Sequence, residues 1–303
     1  MKFSMNVETL LKRFGFAYAA KLYSSVGFDA VDFPLCEMAV NDKDAFNLDT
    51  YRETAAEMRR IAEAEGLTIN QTHAPFQFSK NEWASESLFE EKVMPRVIRS
   101  LEISAIFGAK IAVVHPIHHL VYAGHEEELF ELNMKYYRRL LPYAKEYGVQ
   151  IGVENMFQRD PRRKCLSADT CSFSAEFIRY IDTLDDPFAV GCLDVGHVGL
   201  PANATEEAED VIRLLGHDRL KALHLHDNDY CNDLHLPPYL GKLNWMEIAR
   251  ALGEIDYTGD FTYEIGSARF AAYDEGFLPI MARFMADTGR HLMAEVERNR
   301  KKA

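Results

Sequence analysis

The feature that most constrains this chain is an alternation of short β-type runs with longer amphipathic stretches, sustained from one end to the other. The β-type runs fall at 2–6, 30–33, 68–73, 110–115, 150–154, 189–194, 222–225 and 260–264. Apolar residues recur at helical spacing over 16–26, 48–64, 88–107, 127–147, 171–182, 206–215, 245–252 and 272–298. Strand side chains repeat every second residue and helical ones about every 3.6, so the two kinds of segment separate by pattern. Strand followed by helix, eight times over, predicts a parallel sheet, and the count fits one that closes on itself. The expected fold is therefore α/β, a (β/α)8 TIM barrel. No Pro/Gly/Ser-rich linker or composition shift divides the sequence, so 1–303 is expected to form one domain.

Punctuation supports this reading. Gly66, Gly108, Gly148 and Gly216 stand just ahead of strands, where glycine tolerates the left-handed conformation that ends a helix. Ser87-Leu88-Phe89-Glu90 has the form of a capping box for the third long helix, and Pro95 predicts a kink there or a start nearer the proline. The connections after His73, Glu154 and Leu225 are long (74–87, 155–170 and 226–244), whereas the helix-to-strand turns are short. Long loops at one end of the strands mark that end as the functional face.

Composition narrows the function classes. With 48% hydrophobic residues and 12% aromatics the chain can bury a large core, and its apolar runs are far too short to span a bilayer. The first residues, Met1 to Asn6, turn polar too soon for a signal peptide. The five cysteines (Cys36, Cys165, Cys171, Cys192, Cys231) are odd in number and form no C-x-x-C pair, which argues against a disulfide framework or a thiolate metal site. A cytoplasmic location is expected. The net charge of −13 weighs against nucleic acid and anionic membranes as partners, and the basic run before Ala303 reads as a solvated helix end. A homo-oligomer is left open.

The strand endings carry the chemistry. They read Gln71-Thr72-His73, Val113-Val114-His115, Gly152-Val153-Glu154, Cys192-Leu193-Asp194, Leu223-His224 and Tyr263-Glu264. In a closed parallel barrel all these ends converge on one mouth. Carboxylates crowded there without compensation would be costly, whereas carboxylates and imidazoles around a cation stabilise one another. The core set is Glu154, Asp194, His224 and Glu264, expected to hold one divalent ion. Its oxygen and nitrogen donors suit Mn²⁺, Zn²⁺, Mg²⁺ or Co²⁺. The residues two before the carboxylates (Gly152, Cys192, Thr262) are small enough for a barrel interior. The same test prefers His224, with Ala222 below it, over His226 as the ligand. His197, three residues after Asp194, and the loop pair Asp233 and His235 are further candidates, either as ligands or as support for the ligands.

These fragments, together with Thr72-His73-Ala74-Pro75-Phe76, Val114-His115-Pro116, Asp194-Val195-Gly196-His197, His224-Leu225-His226-Asp227 and Gly241-Lys242-Leu243-Asn244-Trp245, resemble the xylose-isomerase-like superfamily of barrels along essentially the whole chain. The resemblance is to its sugar phosphate isomerase/epimerase branch. It implies a metal bound by Glu154, Asp194, His224 and Glu264. It further implies that Glu154 and Glu264 are the catalytic pair, trading the substrate proton on opposite faces. His197, with His73, His115, His235 and Asp233, is then expected to bind substrate. Proton abstraction next to a carbonyl needs stabilisation of the resulting enediolate, which a metal bridging substrate oxygens supplies. Tyr230 stands where many ketohexose epimerases have an arginine, a departure that bears on the substrate.

Two other readings share the scaffold. Endonuclease IV, an abasic-site nuclease, binds three zinc ions through nine ligands, and His73, His115, Glu154, Asp194, His197, His224, Asp233, His235 and Glu264 match them; the acidic charge argues against DNA. A keto-sugar or inosose dehydratase would begin with the same proton abstraction. The aromatic segment 76–83 is expected to line a pocket over a small substrate, a sugar or sugar phosphate. Arg159, Arg162, Arg163, Lys164 and Arg269 lie near predicted mouth loops and could meet an anion, although solvated loop charge is the commoner outcome.

Overall fold

The computed structural model describes residues 1–266 and 272–300. Ten strands occur among them: β1 (Phe3–Asn6), β2 (Ala30–Pro34), β3 (Thr68–His73), β4 (Ile111–Val114), β5 (Gln150–Glu154), β6 (Phe157–Asp160), β7 (Cys165–Ala168), β8 (Ala189–Asp194), β9 (Leu220–His224) and β10 (Phe261–Tyr263). Eight of them form one parallel sheet in the order β10-β1-β2-β3-β4-β5-β8-β9. A parallel bridge between Leu225 and Tyr263 joins its two edges. The TIM barrel is thus closed, and every C-terminal strand end faces one mouth.

All eight expected strands are present within two residues of their predicted bounds. Helices pack around them, and their apolar faces meet the outward side chains of the strands in one large core. Inside the barrel, Val113, Cys192 and Ala222 form a separate small cluster. This is where small side chains were expected, because eight converging strands leave little room. Gly108 and Gly148 end their helices in the left-handed conformation, at φ 83° and 67°.

One expectation is corrected, one is met and one element is new. Ser87 caps nothing. The capping box is Ser79 with Glu82, one short helix earlier, and Ser85 caps the turn that contains Ser87. A π-helical turn, Phe89–Val93, leads into the helix Met94–Phe107, which starts beside Pro95; proline fits the first helical turn, where its missing N–H has no partner to lose. The loop after β5 holds an antiparallel hairpin, β6–β7, that period-two patterning did not reveal because its strands are short and mostly half-exposed.

Arg269, Lys301 and Lys302 lie outside the described residues. Among those described, no helix is long and apolar enough to cross a membrane. The five cysteines are free thiols.

Candidate metal centre

Six of the barrel strands deliver a polar side chain to the mouth at or just past their ends. His73 ends β3, Glu154 ends β5, Asp194 ends β8 and His224 ends β9, while His115 and Glu264 follow β4 and β10 by one residue. Glu154, Asp194 and His224 are completely or almost completely buried. Ligand atoms of Glu154, Asp194, His224 and Glu264 all lie within 4.8 Å of one another. That spread suits a divalent ion with bonds of about 2.0–2.2 Å after small side-chain movements. His224 faces the carboxylates through Nδ1, 2.9 Å from Glu154 Oε1 and 3.5 Å from Glu264 Oε2.

The local sequence explains this placement. Asn155 follows Glu154 and ties β5 to β8: its side chain donates to the Asp194 carbonyl at 2.9 Å and accepts from the Asp194 amide at 2.8 Å. The Asn155 carbonyl accepts from His197 Nδ1 at 2.8 Å, while the His197 amide donates to Asp194 Oδ1. Gly196 stands where a Cβ would lie 2.1 Å from the His226 ring, so only glycine lets that ring reach Asp194. Asp227 is buried and collects N–H groups from Asn228, Gly241, Leu243 and the Trp245 indole. In this way it folds the long loop that carries Asp233 and His235. His235 itself adopts φ 46°, a strained value for a residue with a side chain, with Nδ1 on the Glu264 carbonyl and Nε2 on Asp233 Oδ2.

Charge is poorly balanced here by protein groups alone. Burial drives the Glu154 carboxyl up, but the imidazoles of His224 and His115 reverse this and hold it well below the usual carboxylate range. Burial opposes charge on His224, yet Glu264 and Glu154 carry its pKa up to about 10. His235 likewise rises to about 10, against burial, because of Asp233 and Glu264. Burial pushes His115 down to about 3, and it raises the Glu264 carboxyl, which His224 and His235 only partly offset. The His224 and His235 imidazoles thus favour their protonated forms beside the carboxylates, which is the work a cation would do.

Unpartnered atoms make the same point. Buried without a hydrogen bond are Glu154 Oε2, His115 Nδ1, His224 Nε2, His226 Nδ1, Asp233 Oδ1 and Asp32 Oδ1. His115 Nε2 approaches Glu154 Oε2 to 3.0 Å, but without the alignment of a hydrogen bond. Buried polar atoms are normally paired, so such a concentration fits a site shaped for an ion. The residues present fit a divalent metal.

The other candidates surround this core in two groups. His73, His115 and Glu154 form one set of converging ligand atoms, and His197, His226, Asp233 and His235 form another. His226, the histidine set aside in favour of His224, belongs to the second group. Its Nε2 lies 2.9 Å from Asp194 Oδ1, and its ring stacks on His235 at 4.0 Å. A cavity of about 390 Å³ opens above, its lining including His73, His115, Glu154, His197, Asp233 and Glu264. Of the aromatic segment only Phe76 lines it; Phe78 and Trp83 turn into the core, where Trp83 packs against Tyr136. Arg162 and Arg163 sit at the tip of the β6–β7 hairpin, turned around Asp160, and with Arg159 and Lys164 they do not line the cavity.

Pattern reading passed over Asp32, which lies in β2, wholly buried, with Oδ2 4.0 Å from His224 Nε2 and its pKa raised by burial. The available signal was a charged residue inside the apolar run Ala30-Val31-Asp32-Phe33. His118 and Asp169 were also missed, and no pattern at their positions distinguishes them from ordinary loop residues.

The sequence model of the xylose isomerase-like TIM barrel family matches residues 20–282. An uncharacterised protein of Methanocaldococcus jannaschii is 27% identical over 209 residues, covering 68% of this chain and 67% of its own. Among solved structures, a D-psicose 3-epimerase determined in the presence of D-fructose superposes with a TM-score of 0.72 at 16% identity, over 97% of this chain and 99% of that one. An IolI protein with a bound zinc atom superposes at 0.70 and 14% identity over the whole of both chains.

Proposed function

The chain belongs to the xylose isomerase-like TIM barrel family, and from that premise we propose that it is a metal-dependent isomerase or epimerase of a ketose, keto-inositol or related sugar. The observation that carries this reading is the pair Glu154 and Glu264. Their carboxylates approach the same imidazole nitrogen, His224 Nδ1, from different strands at the wall of a sugar-sized cavity.

Glu154, Asp194, His224 and Glu264 would hold the ion, with Mn²⁺, Zn²⁺, Mg²⁺ or Co²⁺ compatible with their oxygen and nitrogen donors. A bound ion supplies stabilisation of the negative charge that gathers on the substrate oxygens when the adjacent C–H proton leaves. One of the two glutamates takes that proton and the other returns one, so their placement on separate strands decides the face of return. Return to the same carbon gives an epimer; return to its neighbour gives an isomer. His197, fixed by the Asn155 carbonyl, is placed to hold a substrate oxygen, with His73, His115, His235 and Asp233 around it. The sugar epimerases among the solved relatives support the substrate class.

The test is solvent exchange. Protein loaded with Mn²⁺ is incubated in D₂O with D-fructose, D-tagatose, an inosose and fructose 6-phosphate, and deuterium at the carbon beside the carbonyl is read by NMR. Uptake with at least one probe, lost in Glu264→Gln, supports the proposal. No uptake with any probe, or full uptake by Glu264→Gln, refutes it.

A second reading rests on the separate convergent sets around Glu154 and around His197, which give room for further ions as in a trinuclear nuclease. About three zinc ions per chain together with cleavage of abasic-site DNA would establish it. The net charge of −13 opposes it.

A further inference from the structure

His118 lines the mouth cavity, outside the candidate ligand set, and Asp169 lies buried behind it. His118 is on the loop after β4, and β4 stands four strands from β10 in the eight-stranded order, so the imidazole faces the cavity from the side opposite Glu264. Its Nδ1 lies 3.1 Å from Asp169 Oδ2; the His118 side chain is 30% exposed and that of Asp169 fully buried. The other carboxylate oxygen of Asp169 is occupied by the Thr170 amide at 2.7 Å and the Thr170 hydroxyl. Asp169 therefore has one free direction for a donor, and the imidazole fills it.

Both loops are tied together. Gln158 donates to the Leu120 carbonyl at 2.6 Å and accepts from the Tyr122 amide, while the Tyr122 hydroxyl and the Cys171 amide share Glu176 Oε2. Ser172 Oγ receives the Asp169 amide and donates to the Met156 carbonyl. Cys171 holds φ 62°, a left-handed conformation that is unfavourable for a residue with a side chain. A loop laced at this many points, and strained to keep its course, presents a side chain in one orientation. Donation from Nδ1–H to the carboxylate selects the tautomer that leaves Nε2 as an acceptor toward the cavity.

We propose that His118, positioned by Asp169, accepts a hydrogen bond from a hydroxyl of an uncharged polyol substrate at the end remote from Glu264. This rests on the isomerase or epimerase reading and names the substrate class. An uncharged hydroxyl suits an acceptor nitrogen, because an O–H donates where a phosphate dianion only accepts; Glu8, Asp233, Glu154 and Glu264 line the same cavity, alongside His73, His197 and His235. His118 is a binding residue in this account and Asp169 a positioning residue.

The test has two parts. Long-range ¹H–¹⁵N spectra of the histidine rings in the ligand-free protein read the His118 tautomer, whatever the enzyme does. Nδ1–H in the native protein and a changed tautomer balance in Asp169→Asn are expected; Nε2–H, or indifference to Asp169→Asn, overturns the positioning role. D-fructose and fructose 6-phosphate are then compared as probes of the Mg²⁺-loaded protein, whose diamagnetic ion leaves the ring signals observable. D-fructose should shift the His118 ring signals and fructose 6-phosphate should not. Where exchange turnover is measurable, His118→Phe should raise KM for the free ketose roughly tenfold, the value of one lost hydrogen bond, with kcat and Mn²⁺ content nearly unchanged. Undisturbed His118 signals, or preference for the phosphate, overturn the inference even if turnover is seen. Absence of turnover together with shifted His118 signals would count against the isomerase reading and leave the binding role standing.

Discussion

At the N-terminal end of the barrel the Lys2 amide donates to Asp260 Oδ1 at 2.6 Å, Asn70 donates to Asp260 Oδ2 at 2.9 Å, and Ser4 donates to Asn70 at 2.7 Å. At the C-terminal end of the same barrel, Glu154 Oε2, His224 Nε2 and Asp233 Oδ1 have no hydrogen-bond partner. The first arrangement closes β1, β3 and the entry to β10 on one another, and the carboxylate and amide that make it are paired. The second holds carboxylates and imidazoles together at a cost that protons on the histidines only partly offset. Paired polar groups at one end keep the barrel shut, and unpaired ones at the other are positioned for something the chain does not itself supply.

The comparison is most exposed to failure at Glu154. Glu154→Gln should lower turnover by roughly 10²–10⁴-fold and weaken metal retention, read from steady-state rates and elemental analysis. Native turnover with full metal retention in this variant would mean that the mouth is not built around an ion. Metal should matter to the fold in the native protein: at a concentration 100 times its Kd, the ion should add about 2.7 kcal/mol by linkage, read as a rise in melting temperature after dialysis against chelator and re-addition. At the opposite end Asp260→Ala should cost about 1–3 kcal/mol in denaturant unfolding and leave metal content unchanged.

The smallest effect is expected at Asp29, also at the N-terminal end. Burial works against its carboxylate, but Arg290 and the Phe3 amide hold its pKa below the usual range. A folded pKa below the unfolded one gives stability that is present above the unfolded value, near 3.9, and lost as pH falls through the folded value. Asp29→Asn should therefore be destabilising by a few tenths of a kcal/mol at neutral pH, the pair being partly solvated, and the difference should vanish in acid. Unfolding curves of both proteins across that range would show it.

The barrel and its candidate metal-binding strand ends were legible because both depend on local pattern. Period-two runs ending in His, Asp or Glu place those residues at a common mouth once closure is assumed, as Glu154, Asp194 and His224 do. The hairpin Phe157–Asp160 with Cys165–Ala168 escaped because short, half-exposed strands carry no amphipathic signal. Trp83 was assigned to the pocket by its segment, whereas its ring is claimed by Phe78, Phe89 and Tyr136, contacts that sequence spacing does not encode. Asp32 and the His118–Asp169 pair were hidden for a related reason: each acts through a partner distant in the chain.

The central claim is an ion at the mouth held by Glu154, Asp194, His224 and Glu264, and elemental analysis of the purified protein tests it most directly. The account predicts about one divalent ion per chain in the native protein and almost none in His224→Ala or Asp194→Asn. A native protein that retains no ion after equilibration with Mn²⁺ and Zn²⁺, or variants that keep the full complement, would contradict it.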